Sequence, residues 1–138
     1  MSDPEVGATA SAEMTVRSAD LASALRLEPG DAFPPVFATA RLVALMELAA
    51  ARILRPHLST GEFSVGVSVD VTHTAATPEG SAVIASARYL GREGKLHAFE
   101  VIARDAGGEV GRATHRRAVV AGERLVSGAR RRVEGTRS

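Results

Sequence analysis

The chain reads as an α+β domain in which one long helix packs against a face of an antiparallel sheet. Three observations predict this. A single unbroken run of helix formers, VFATARLVALMELAAARILRPHL, is long enough to span a domain. Several strand-like segments follow, and their links GREGK and DAGG are too short for anything but hairpins. The chain has 138 residues, 45% of them hydrophobic, which supplies apolar material for one core and not for two.

Residues 1–12 are small and polar and are expected to form a flexible lead, so the domain is placed at 13–122. Met14 to Leu27 is only weakly periodic, and EPGDAFPP, Glu28 to Pro35, is dense in turn residues and reads as a loop. The helix is expected over Val36 to Leu58 and ends near Pro56, which has no N–H to continue it. Val65, Val67, Val69 and Val71 then alternate with small or polar residues, the period of a strand with one buried face. Three more strands are expected at Ala82 to Leu90, Leu96 to Arg104 and Glu109 to Ala121. Residues 123–138 carry five arginines against two glutamates and are expected to be a basic, mobile tail.

Composition excludes several function classes. A formal net charge of +1 does not fit a general partner such as duplex nucleic acid or an anionic membrane. Arg130 to Arg132 could contact phosphate, but a solvated terminus is the favoured account of them. No window approaches a membrane span and the first residues lack a signal-peptide pattern, so a cytoplasmic protein is expected. There is no cysteine, hence no disulfide, no thiolate metal site and no cysteine nucleophile. His57, His97 and His115 lack metal-ligand spacing and are assigned to surface or packing roles; neither metal nor cofactor is expected.

Two residues stand out chemically. His73 continues the odd-numbered valine series, which aims it toward the core face, where a catalytic imidazole competes with a histidine satisfied by a backbone carbonyl. On the helix wheel, Arg41, Arg52 and Arg55 lie within about 60° of one another and mark the solvent side. Leu48 falls among them, as if that side were partly covered by a second subunit. Glu47 lies about 120° from Arg41, with Val43, Ala44, Ala50 and Ala51 one turn away and no basic residue on its own helix to pair with. An unpaired carboxylate in an apolar setting would make a general base or nucleophile; a partly exposed helix-edge glutamate is the alternative. Thr39, nearly opposite the arginines, adds a hydroxyl donor, and the three together are the parts acyl transfer needs.

The segments VFATARLVALMELAAARI, FSVGVSVDVTHTAATPEG and GRATHRRAVV resemble the fluoroacetyl-CoA thioesterase group of the hotdog-fold superfamily, from about Phe33 to Val120. The resemblance implies a hotdog fold, with an antiparallel sheet wrapped around one long helix. It also implies a homodimer with active sites at the interface and cofactor-free hydrolysis of an acyl-CoA. By motif, Thr39, Glu47 and His73 would be catalytic, while Gly66, Arg117 and Phe33 would contact substrate. Gly30 stands where that group has a second lid phenylalanine and Leu48 where it has a tryptophan, so short acyl-CoA esters in general are the expected substrates. A non-catalytic acyl-CoA binding protein and an enoyl thioester hydratase are the competing readings.

Overall fold

The computed structural model describes residues 2–135; Met1 and residues 136–138, which include Arg137 of the expected tail, lie outside the described residues. The chain order is β1 (Thr9–Thr15), α1 (Thr39–Leu54), β2 (Glu62–His73), β3 (Ala82–Glu93), β4 (Leu96–Asp105), β5 (Gly108–Ala121) and α2 (Gly122–Glu134). The five strands form one sheet in the order β1-β3-β4-β5-β2, and every neighbouring pair is antiparallel. With α1 lying against one face of this sheet, the arrangement is the hotdog fold.

Helix α1 begins at Thr39 rather than Val36 because the preceding residues are held as extended chain. Val36 and Phe37 form isolated bridges with Pro78 and Leu21, and Ala38 is extended while its carbonyl accepts the first helical bonds. At the far end Pro56 tightens the chain into a 3₁₀ turn over Arg55–His57. The helix buries Leu42, Leu45, Met46, Ala49, Ala50, Ile53 and Leu54, and keeps Arg41, Arg52 and Arg55 exposed as the wheel predicts. Facing it, the odd-numbered residues of β3, β4 and β5 point inward: Val83, Ala85, Ala87 and Tyr89, then Phe99, Val101 and Ala103, then Ala113. The many alanines on both sides let helix and sheet approach closely, so the core is dense without many large side chains.

The structure differs from expectation at both ends of the chain. Thr9 to Ala12, expected in the flexible lead, belong to β1, which pairs with β3 from Thr9↔Arg88 to Thr15↔Ala82. Ala12 is buried there, and such small side chains give little hydrophobic signal to read. Residues 123–134, expected in the tail, belong to α2. Glu123 in its first turn and Arg131 and Arg132 in its last complement the helix dipole, although no α2 residue is buried. Among the described residues no helix is long and apolar enough to cross a membrane.

A further difference lies within β2. Its register against β5 slips between Gly66 and Ser68, so Val67 is the extra residue of a bulge and is 54% exposed, not inward-facing as the alternation implies. Val69 and Val71 beyond the bulge pack on the core, and His73 keeps their parity.

His97 and His115 are both buried to 1% exposure. Tyr89 Oη and His97 Nδ1 share a buried hydrogen bond of 2.7 Å. Burial, as the largest cause, holds both imidazoles below the ordinary 6.5. Because the folded values are depressed, the unfolded chain takes up these protons first as pH falls. Stability should therefore be level above about pH 7 and decline as pH drops below about 6.5, measured as the urea midpoint. A midpoint that stays constant from about pH 7 to 5 would contradict this.

Candidate active site

Two clusters of polar side chains flank α1. The first is at its N-terminus, where Thr39 opens the helix and His73 closes β2. Thr39 Oγ1 and His73 Nδ1 are 2.9 Å apart. Phe37 meets the imidazole edge-to-face, with centroids 6.4 Å apart. The other ring nitrogen, Nε2, is buried and has no hydrogen-bond partner among the described residues. A buried lone pair left unpaired is better tolerated than a buried N–H. The favoured tautomer therefore has Nδ1–H donating to Thr39 Oγ1, which leaves the threonine's own hydroxyl hydrogen for a ligand. Both residues line a cavity of about 260 Å³ together with Ala22, Val36, Phe37, Thr74, Ala75 and Ala76.

The second cluster lies two turns along the helix. Glu47 is half-buried, and Arg117 Nη1 on β5 donates to its Oε2 at 2.9 Å. Glu47 is thus not the unpaired carboxylate that its own helix implies, since its partner comes from a strand 70 residues away. Arg117 is itself only 6% exposed. It donates from Nε to Ser64 Oγ at 3.0 Å, from Nη2 to the Ser64 carbonyl at 2.9 Å, and from Nη1 to His115 Nε2 at 3.1 Å. With the Glu47 bond, four of its five N–H groups go to protein acceptors. Gly66, opposite Arg117 in the β2–β5 register, lies against the Glu47 carboxylate; a Cβ there would sit 2.7 Å from Oε2. Glu47, Arg117, Ala44, Leu48 and Ala51 line a shallow depression of about 330 Å³, and Leu48 is 52% exposed on its rim.

The expected residues therefore fall into two groups within one chain. Thr39 and His73 meet directly, and Glu47, Gly66 and Arg117 meet directly. Thr39 and Glu47 are eight residues apart on one helix, about 12 Å along it and roughly 80° around it. A small acyl group cannot touch both in one subunit. Phe33 sits on the exposed loop and is absent from the lining of the Thr39–His73 cavity, where Phe37 stands instead. Sequence reasoning missed Phe37, Ser64 and His115. His115 shares the parity of Ala113 and Arg117 on β5, and that parity is the one signal that could have placed it inward beside the arginine.

Comparison with known proteins bears on this geometry. Residues 11–123 match the family described as fluoroacetyl-CoA-specific thioesterase. The fluoroacetyl-CoA thioesterase of Streptantibioticus cattleyicolor is 47% identical over 88 residues, 64% of this chain, and the match spans 63% of that relative's length. A solved structure of fluoroacetyl-CoA thioesterase superimposes with a TM-score of 0.88 at 36% identity, covering 94% of this chain and 98% of the other. A thioesterase superfamily member from Thermus thermophilus does so at 0.86 and 28% identity, covering 97% and 96%. A family match over most of the chain, together with these superpositions, places the chain in the fluoroacetyl-CoA-specific thioesterase family.

Proposed function

We propose that the protein is a hydrolase that cleaves short acyl-CoA thioesters to the carboxylate and free CoA, acting as a homodimer whose active sites combine residues of two subunits. The observation that carries this reading is the Thr39–His73 hydrogen bond at the edge of a small, mostly apolar cavity. That cavity suits an acyl group of a few atoms. The hydroxyl hydrogen that Thr39 retains is a donor for the thioester carbonyl, where negative charge develops on attack.

One subunit would supply Thr39 and His73, and its partner Glu47 with Arg117 and Gly66. The exposed Leu48 beside Glu47 favours this, because a large apolar side chain next to a functional carboxylate is what a subunit interface would cover. Glu47 accepts only one bond from Arg117, at Oε2, so Oε1 can take a proton from water or attack the carbonyl itself. When the C–S bond breaks, the departing thiolate takes its proton from Glu47, where water attack has left one, or from solvent, while His73, donating from Nδ1 to Thr39 Oγ1, keeps the threonine's own hydrogen on the carbonyl oxygen. Gly66 makes room for the carboxylate, and with Phe33 on the loop it would border the bound ester. With Phe33 exposed and Gly30 and Leu48 in place of larger aromatics, the pocket would accept acetyl and propionyl as well as fluoroacetyl esters.

Glu47→Gln, which still accepts from Arg117, and His73→Ala should each lower kcat for thiol release from acetyl-CoA by roughly 10²–10⁴-fold while leaving the fold intact. Near-normal turnover by either variant would refute its role. If the two halves come from different subunits, co-refolding the two inactive variants in equal amounts should restore about a quarter of wild-type activity, since half the dimers regain one complete site. No recovery in verified mixed dimers would refute the shared site. Gly66→Ala places its methyl against the flexible end of Glu47. It should keep the thermal midpoint within a few degrees while lowering kcat by about 10- to 100-fold.

A further inference from the structure

His115 plays no part in the chemistry above, yet it is 1% exposed and sits against the guanidinium that holds Glu47. Its Nδ1–H donates to the Ser68 carbonyl at 2.8 Å, immediately after the β2 bulge. That bond fixes the tautomer and leaves Nε2 as a lone pair facing Arg117 Nη1 at 3.1 Å.

We propose that His115 is a positioning residue for turnover: by accepting one N–H of Arg117 Nη1 it restricts Glu47 to a single bond from that nitrogen and so keeps Glu47 Oε1 available to the reaction. The inference rests on the thioesterase reading for its effect on rate, but its structural half does not. Arg117 Nη1 carries two hydrogens, and the structure divides them between His115 Nε2 at 3.1 Å and Glu47 Oε2 at 2.9 Å. Nε and Nη2 are held by Ser64. Four acceptors on two strands and α1 therefore fix the plane of the guanidinium. Without His115, the guanidinium loses one of its four anchors and could swing its Nη1–Nη2 edge onto the carboxylate, engaging both oxygens in the fork geometry arginine favours. Among the described residues no protein donor bonds Glu47 Oε1, so a second arginine contact would consume the group that must meet water. A protonated His115 would instead set an N–H against the guanidinium. Burial first, and also the charge of Arg117, hold its pKa below the ordinary imidazole value, against the opposing bond to Ser68.

His115→Gln keeps an oxygen acceptor within reach of Arg117, whereas His115→Asn is long enough for Ser68 but not for Arg117, and His115→Leu removes both bonds. Steady-state thiol release from acetyl-CoA would be measured beside solvent exchange of the Arg117 Nε–H by NMR. The Asn and Leu variants should lose about 10-fold or more in kcat with KM changed less than about threefold, and the Arg117 Nε–H should exchange faster. The Gln variant should recover most of both. Equal losses in Gln, Asn and Leu that track the thermal midpoint would overturn the proposal in favour of a packing role. So would a Leu variant with wild-type kcat and slow exchange. If no protein, wild type included, releases thiol while exchange still separates Gln from Asn and Leu, the thioesterase reading fails and the anchoring of Arg117 by His115 stands.

Discussion

The structure depends on how it satisfies one buried cation. A guanidinium 6% exposed beneath a helix is tolerable only if its donors and its charge are met on all sides. Here Ser64 on β2, His115 on β5 and Glu47 on α1 meet them. Removing any one partner would leave a desolvated donor, so the position of the helix over the sheet, the register of β2 on β5 and the orientation of the carboxylate are coupled through Arg117. Gly66 belongs to the same constraint, because the carboxylate occupies the volume a Cβ would take. Arg117, expected from the family resemblance to contact substrate, thus also holds Glu47 in place.

The two polar clusters follow from helix geometry. Thr39 gains its place by being the first residue of α1, where the chain turns from extended to helical next to the last residue of β2. Glu47 lies two turns on, where the sheet bends over the helix through the bulge. Helix and sheet are both too rigid to bring these groups together in one copy, so the division is a property of the fold itself and of no particular side chain. The cavity at Thr39 is bordered by Phe37, whose backbone ties to Thr77 and whose ring leans on His73, so the wall and the imidazole are set by the same short stretch of chain.

Much of this was legible in the residues. The run of Ala, Leu, Met and Arg after Pro35 named the helix and its solvent face, and the short links GREGK and DAGG between strand-like segments named the antiparallel sheet. His73 was placed inward by parity, and the parity survived because the bulge lies upstream of Val69. Val67 itself was misread, since a valine that leaves the ladder looks the same in sequence as one that stays. β1 escaped notice because alanine, serine and threonine bury little area, and α2 because an arginine-rich segment reads as solvated whether or not it is helical. The Arg117–Glu47 pair could not be read from local spacing, because its members are 70 residues apart. Thr39 meeting His73 across 34 residues was accessible only through resemblance to a family.

The bulge at Val67 has one more consequence. β2 is an edge of the sheet and, at twelve residues, one of its longer strands, the kind of rim on which another chain could keep adding strands without limit. An extra residue near its middle throws the two halves of that rim out of phase, so an approaching strand finds matching donors and acceptors over only part of its length. The irregularity that passes unnoticed among the valines thus limits how far another strand could run in register along this rim.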